Sequence, residues 1–233
     1  MKDTSLFLYE ASRKRRKILF EGAQGALLDL DHGTYPFVTS SNTVAGNACA
    51  GSGLGPTMMD SVIGVTKAYT TRVGEGPFPT ELQDEVGQKI REKGGEYGAT
   101  TGRPRRCGWL DAIVVNHAIR INWIRELAIT KLDVLNDFDE IKICTAYRLA
   151  GRTIDQIPTN PERLAEAEPV YETLDGWNSD IRGVREFSTL PRKAQKYLRR
   201  IERLTRTKIG MVSTGSERNE TIGVRSPFGK KSP

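Results

Sequence analysis

The chain has 233 residues, 37% hydrophobic and 27% charged, the composition of an ordinary globular protein. Its net charge of +6 and pI near 9.3 suit nucleic acid, phosphorylated metabolites or acidic lipid, and choose none of them. No run of about eighteen apolar residues is present, the start lacks a signal-peptide layout, and three scattered cysteines with two histidines frame neither disulfides nor a zinc site, so a cytoplasmic protein with no membrane partner is expected.

In chain order, residues 5–12 (SLFLYEAS) predict the end of a helix, with a basic last turn from Arg13 to Lys17. ILF (18–20) predicts a short buried strand that runs into EGAQG. The polar, glycine-rich segment Asp29 to Pro56 predicts irregular backbone. VIGVTKAYTTRV (62–73) is β-branched and strand-like. TELQDEVGQKIREKG (80–94) predicts a helix with Leu82, Val86 and Ile90 on one stripe and Gly94 as its cap. WLDAIVVNHAIRINW (109–123) predicts another, with Leu110, Val114, His117 and Ile121 on the apolar face; His117 is expected in the core, and His32 has no assigned chemistry. LAITKLDVL (127–135) reads as a strand that breaks into a turn, EIKICTAYRLAGRTIDQIP (140–158) as a hairpin bending near Gly151, PRKAQKYLRRIERLTRTK (191–208) as a helix, and IGMVS (209–213) as a strand. The alternation implies an α/β fold with a central, mostly parallel sheet and flanking helices. Without repeats or a linker, one domain over residues 1–233 is expected.

Ligands of open α/β sheets gather at the carboxyl ends of strands. Four polar, glycine-rich loops follow predicted strands here: EGAQG, RVGEGPFPTE, TKLDVL and STGSER. Gln24 can pair with a purine or a hydroxyl, although a plain strand-to-helix turn accounts for EGAQG equally well. Lys131 and Asp133 sit two apart, and a carboxylate there can accept from the paired donors of guanine, which adenine lacks; the bland alternative is a surface ion pair. STGSER offers hydroxyls that could close over the same base, or a simple turn. ATTGRPRR (99–106) packs three arginines around Pro104, next to Thr100 and Thr101. Arginine forks match carboxylates and phosphates, whereas a solvated basic turn is the plain alternative. A nucleic-acid patch would be more spread out and interleaved with aromatics, so a nucleic-acid partner is not expected.

Taken together, FEGAQG, LDLDHGTYPFVTSSNT, GSGLGP, TRVGEGPFPTE, EYGATTGRPRRCGWLDA, TKLDVL, YETLDGW and VSTGSER, in this order from about Ile18 to Phe228, resemble the adenylosuccinate synthetase family. That resemblance implies an incomplete P-loop-NTPase-like fold and GTP-dependent ligation of IMP and L-aspartate with Mg2+. GTP phosphorylates the 6-oxygen of IMP, and the aspartate amine displaces it. By resemblance, Gln24, Thr39, Val73 and Arg103 face IMP. Ala99, Thr100, Thr101, Gly102, Arg103, Pro104 and Arg105 hold aspartate. Arg105, Lys131, Leu132, Asp133, Ser213, Thr214 and Gly215 face GTP. Pro104 stands where the family often has another arginine. The family's phosphate loop, catalytic aspartate and histidine and metal ligands have no counterpart before Ile18, so neither catalytic nor metal residues are expected in this chain. It is expected to be inactive alone and to need an N-terminal half, in a homodimer or with a complementing polypeptide. A non-catalytic nucleotide-binding module is the alternative.

Overall fold

The computed structural model describes residues 2–98 and 102–224. Its helices are α1 (Thr4–Arg13), α2 (Gly46–Ser52), α3 (Glu85–Gly94), α4 (Ala112–Asn122), α5 (Pro161–Ala165) and α6 (Arg192–Thr205). Its strands are β1 (Ile63–Lys67), β2 (Thr70–Arg72), β3 (Arg106–Gly108), β4 (Leu110–Asp111), β5 (Glu126–Thr130), β6 (Glu140–Leu149), β7 (Arg152–Ile154), β8 (Glu168–Asp175), β9 (Lys208–Ser213) and β10 (Thr221–Gly223). No helix among the described residues is long and apolar enough to cross a membrane.

The strands form two four-stranded sheets and a ribbon. The first sheet runs β1-β5-β9-β10; its first three strands are parallel and β10 is antiparallel. The second is built on β6, which pairs β4 in parallel and β7 and β8 antiparallel. β2 and β3 make the antiparallel ribbon. The α/β class with a mostly parallel main sheet therefore stands. β5 reads as it must in the middle of a parallel sheet, with Leu127, Ala128 and Ile129 all buried in succession. α6 shows the other period: Ala194, Tyr197, Leu198 and Ile201 form its buried stripe. Tyr197 anchors that helix by donating its hydroxyl to the Ala68 carbonyl at 2.5 Å. Asn116 ties α4 to the end of α6 through the Leu204 carbonyl at 3.2 Å.

Several elements differ from the sequence-based expectations. Residues 18–20 form no strand, and Leu19 is 77% exposed. A strand exists only where its backbone groups find a ladder partner, and none pairs with this segment among the described residues. Residues 62–73 split into β1 and β2, which belong to different sheets, around the buried pair Ala68 and Tyr69. The left-handed cap of α3 is Gly95, not Gly94 (φ +57°). Gly94 is needed for another reason: a Cβ there would collide with the Tyr69 hydroxyl. α4 begins only at Ala112 and buries Ala112, Ile113 and Val115 rather than His117. His117 is half-buried and contacts the His32 carbonyl through Nε2 at 3.2 Å. Within the segment expected to be irregular, Gly46–Ser52 is helical.

A single buried carboxylate joins α4 to the second sheet. Asp111 accepts from the backbone N–H groups of Ile113 and Val114 and from the Tyr147 hydroxyl at 2.6 Å. Burial outweighs these bonds and pushes its carboxyl up to about 6. A carboxyl raised in the fold adds stability that is complete below its unfolded value near 4 and is lost as pH rises through about 6. Asp111→Asn, which keeps the cap, should flatten the rise in unfolding free energy seen on acidifying from pH 7 to 4. Urea denaturation of both proteins across that range measures it; an unchanged slope would show that Asp111 does not titrate there.

Candidate functional site

The carboxyl ends of β1, β5 and β9 lie side by side and carry Lys67, Lys131 and Ser213. Lys131 turns the chain in left-handed backbone (φ +57°), and its N–H donates to Ser213 Oγ at 3.2 Å. A one-turn 3-10 helix, Leu132–Leu135, follows; Leu132, Val134 and Leu135 bury themselves and leave Asp133 half-exposed at the rim. Burial, with a smaller contribution from the Glu220 charge, raises the Asp133 carboxyl above its ordinary value. Beside it lies a cavity of about 230 Å³ lined by Lys93, Asn136, Asp180 and Arg182 among others. Part of its wall is a hydrogen-bonded chain: Trp177 Nε1 donates to Asn136 Oδ1 at 3.0 Å, Asn136 Nδ2 donates to Asp180, and Arg182 grips Asp180. Thr214 is buried and donates to the Val184 carbonyl at 2.9 Å, which fixes the path of Ser213–Gly215.

Residues 96–98 and 102–105 pair antiparallel as the two arms of a hairpin. The Arg105 N–H donates to the Glu96 carbonyl at 2.9 Å and the Gly98 N–H to the Arg103 carbonyl at 2.8 Å. Gly102 bends it in left-handed backbone (φ +63°), and Arg103 and Pro104 are exposed. Ala99, Thr100 and Thr101 lie outside the described residues. The third arginine, Arg106, is taken up by the fold: it pairs with Glu81 and donates to the carbonyls of Gly74 and Gly76.

Behind this hairpin lies Glu96, whose side chain is fully buried. It accepts from Lys67 Nζ at 2.8 Å, Arg105 Nη1 at 2.8 Å, Lys131 Nζ at 3.1 Å and the Tyr69 hydroxyl at 2.6 Å. Burial pulls its carboxyl upward, but the bonds from Lys67, Tyr69 and Arg105 prevail and hold it at about 2. Thus the arginine hairpin and the Lys131–Asp133 turn, far apart in sequence, meet on one carboxylate.

The loop carrying Thr39 is joined to the same region through Arg72, which is buried at the end of β2. Arg72 Nη2 donates to Thr34 Oγ1 at 2.9 Å and to the Phe37 carbonyl. Val73 follows Arg72 and is exposed; the ladder partner of Arg72 is Arg106, directly after Arg105. The Thr39 N–H is bound to the Leu28 carbonyl at 2.8 Å. Gln24 is exposed in left-handed backbone (φ +62°) at the start of this loop. Sequence reasoning passed over Lys67, Tyr69, Arg72, Asp29 and Glu96. Lys67 had a signal, since it ends a strand as Lys131 does. Glu96 had only its place as an acid beside the arginine stretch.

The family model described as adenylosuccinate synthetase matches residues 1–222. The chain belongs to the adenylosuccinate synthetase family. The adenylosuccinate synthetase of Trichlorobacter lovleyi is 56% identical over 99% of this chain and 54% of its own length. That of Geobacter metallireducens is 57% identical over 97% of this chain and 53% of its own. The fully ligated adenylosuccinate synthetase of Plasmodium falciparum superposes with a TM-score of 0.94 at 43% identity, covering 97% of this chain and 54% of that one. The chain thus spans about half the length of the curated synthetases it matches.

The loop that presents Thr39 hangs on Asp29. This buried carboxylate accepts from the backbone N–H groups of Asp31, His32, Thr43 and Val44. Burial opposes ionisation, but the four donors outweigh it and hold the carboxyl at about 2. A carboxyl depressed in the fold adds stability that is present above about 4 and is lost as pH falls through about 2. Asp29→Ala should cost about 2 kcal/mol at pH 7, with the gap to the parent narrowing below pH 4. Paired denaturation curves at pH 7, 4 and 3 test this; a gap that does not depend on pH would contradict it.

Proposed function

We propose that this chain supplies the purine-, aspartate- and guanine-recognising part of an enzyme that joins IMP to L-aspartate at the expense of GTP. The observation that carries this reading is the convergence of Arg105 and Lys131 on Glu96, with Asp133 and Ser213 beside them. Two chemistries are thereby placed next to each other. A guanidinium hairpin suits the carboxylates of aspartate and a phosphate. A carboxylate beside a small cavity suits the N1–H and 2-amino donors of guanine. Gln24, Thr39, Val73 and Arg103 are assigned to IMP, Gly102–Arg105 with Ala99, Thr100 and Thr101 to aspartate, and Arg105, Lys131–Asp133 and Ser213–Gly215 to GTP.

The family implies Mg2+, which would neutralise the transferring phosphoryl group. Among the described residues no group of three or more His, Cys, Asp or Glu side chains fits a metal ion. By the family resemblance we assign the ion, the phosphate loop and the catalytic base to a region matching the other half of the family, and no step is routed through them here. What these residues contribute is position: they orient base and dicarboxylate so that aspartate's amine can approach C6 of the purine.

Two measurements test the reading. The purified chain should form no adenylosuccinate from IMP, GTP and L-aspartate, and should do so once mixed with a polypeptide corresponding to the N-terminal half of a relative. Nucleotide binding without restored turnover would favour a non-catalytic binding module, and steady turnover by the chain alone would refute the division of labour. Asp133→Asn should weaken GTP binding about ten- to a hundredfold and shift preference toward xanthosine triphosphate, whose 2-oxygen accepts where guanine donates. If GTP stays preferred, Asp133 does not read the base.

A further inference from the structure

Glu96 is held before it meets any cation. Gly95 caps α3 in left-handed backbone, and the Glu96 N–H closes the cap on the Arg91 carbonyl at 2.9 Å. A carboxylate offers about four acceptor positions. Here Oε1 takes Tyr69 and Lys131, and Oε2 takes Lys67 and Arg105, so all four are filled. The donors come from the end of β1, the link to β2, the arginine hairpin and the end of β5. The carboxylate is fully buried, whereas the side chains of Lys67, Arg105 and Lys131 are 24%, 29% and 37% exposed. Three cations therefore share one buried anion, an excess of two positive charges within the cluster. Arg105 Nε is also buried and makes no hydrogen bond, so this guanidinium is not fully satisfied by the fold.

A cluster with this imbalance is poorly explained as a device for stability, because buried ion groups rarely repay their desolvation even when neutral. It is well suited to orientation. A rigid acceptor that binds Arg105 and Lys131 together makes them move as one body. We infer that Glu96 is a positioning residue that couples the two subsites: an anion engaging the arginine hairpin and a guanine nucleotide engaging the Lys131–Asp133 turn each favour the other. This rests on the functional reading above and goes beyond it by assigning the coupling to one buried side chain. Linkage makes the effect reciprocal, and couplings of this kind are on the order of five- to a hundredfold.

The test is calorimetric titration of the full chain with GTP, with and without saturating L-aspartate. L-aspartate should tighten GTP at least about fivefold in the parent chain. In Glu96→Gln the ratio should fall to about one and both ligands should bind more weakly. Tyr69→Phe removes a donor to the same carboxylate but no cation, so it should lower Tm and keep the ratio. Glu96→Asp retains the charge but falls short of its four donors, giving an intermediate ratio and a folded protein should Glu96→Gln fail to fold. The inference is overturned if the parent ratio is one, if Glu96→Gln or Glu96→Asp leaves it unchanged, or if Tyr69→Phe abolishes it equally. Should the parent bind neither ligand, the functional reading falls on its own, and amide exchange decides the role of Glu96. Substituting it should speed exchange at both Arg105 and Lys131 about tenfold or more; a change at only one of them, or at neither, overturns it.

Discussion

An anionic group with no access to water must find its donors inside the protein, and wherever it finds them it fixes their positions. Glu96 applies that constraint to groups that sequence alone would leave independent: the end of a parallel strand, the foot of a hairpin and a left-handed turn. The same device recurs. Asp29 organises a loop with little regular structure by accepting from four backbone N–H groups, and Asp111 starts α4 while holding Tyr147 of the second sheet. Three buried acids thus do for the loops what ladders do for the strands.

Their protonation follows from their donors. Glu96 faces cations and Asp29 faces four amides, so both are held at about 2 despite burial. Asp111 has two amides and one neutral hydroxyl in a fully enclosed setting, so burial wins and its carboxyl rises to about 6. Residues of one chemical kind therefore respond to acid in opposite directions: the first two lose their contribution as protons arrive, and the third gains.

Much of the fold was legible because its signals are local. The periodic stripe of α6, the apolar run of β5 and the turn at Ala150 and Gly151, both in left-handed backbone, each identify themselves. Pairing is not local. ILF looks like a strand but has no ladder partner, while 62–73 looks like one strand and serves two sheets. β8 and the β2–β3 ribbon form from segments whose partners are distant in sequence, and α2 is built from small residues with no apolar stripe. For the site, the strand-end residues Lys131, Asp133 and Ser213 were visible because topology exposes such loops. Glu96 and Asp29 were not, since in sequence a buried acid is indistinguishable from a surface one.

The same blindness explains why a basic composition by itself chooses no partner. The arginine stretch invites a reading as a patch for polyanions, yet its charges are divided among different tasks. Arg106 is bound to Glu81 and two carbonyls, Arg105 to Glu96, and only Arg103 is exposed on the hairpin. A nucleic-acid surface needs many solvent-facing cations tracking a backbone. Here Arg106 is matched to Glu81, while Lys67, Arg105 and Lys131 share the single buried acceptor Glu96. On the functional reading proposed above, charge placed at the meeting point of three parallel strand ends serves a small anion of defined shape.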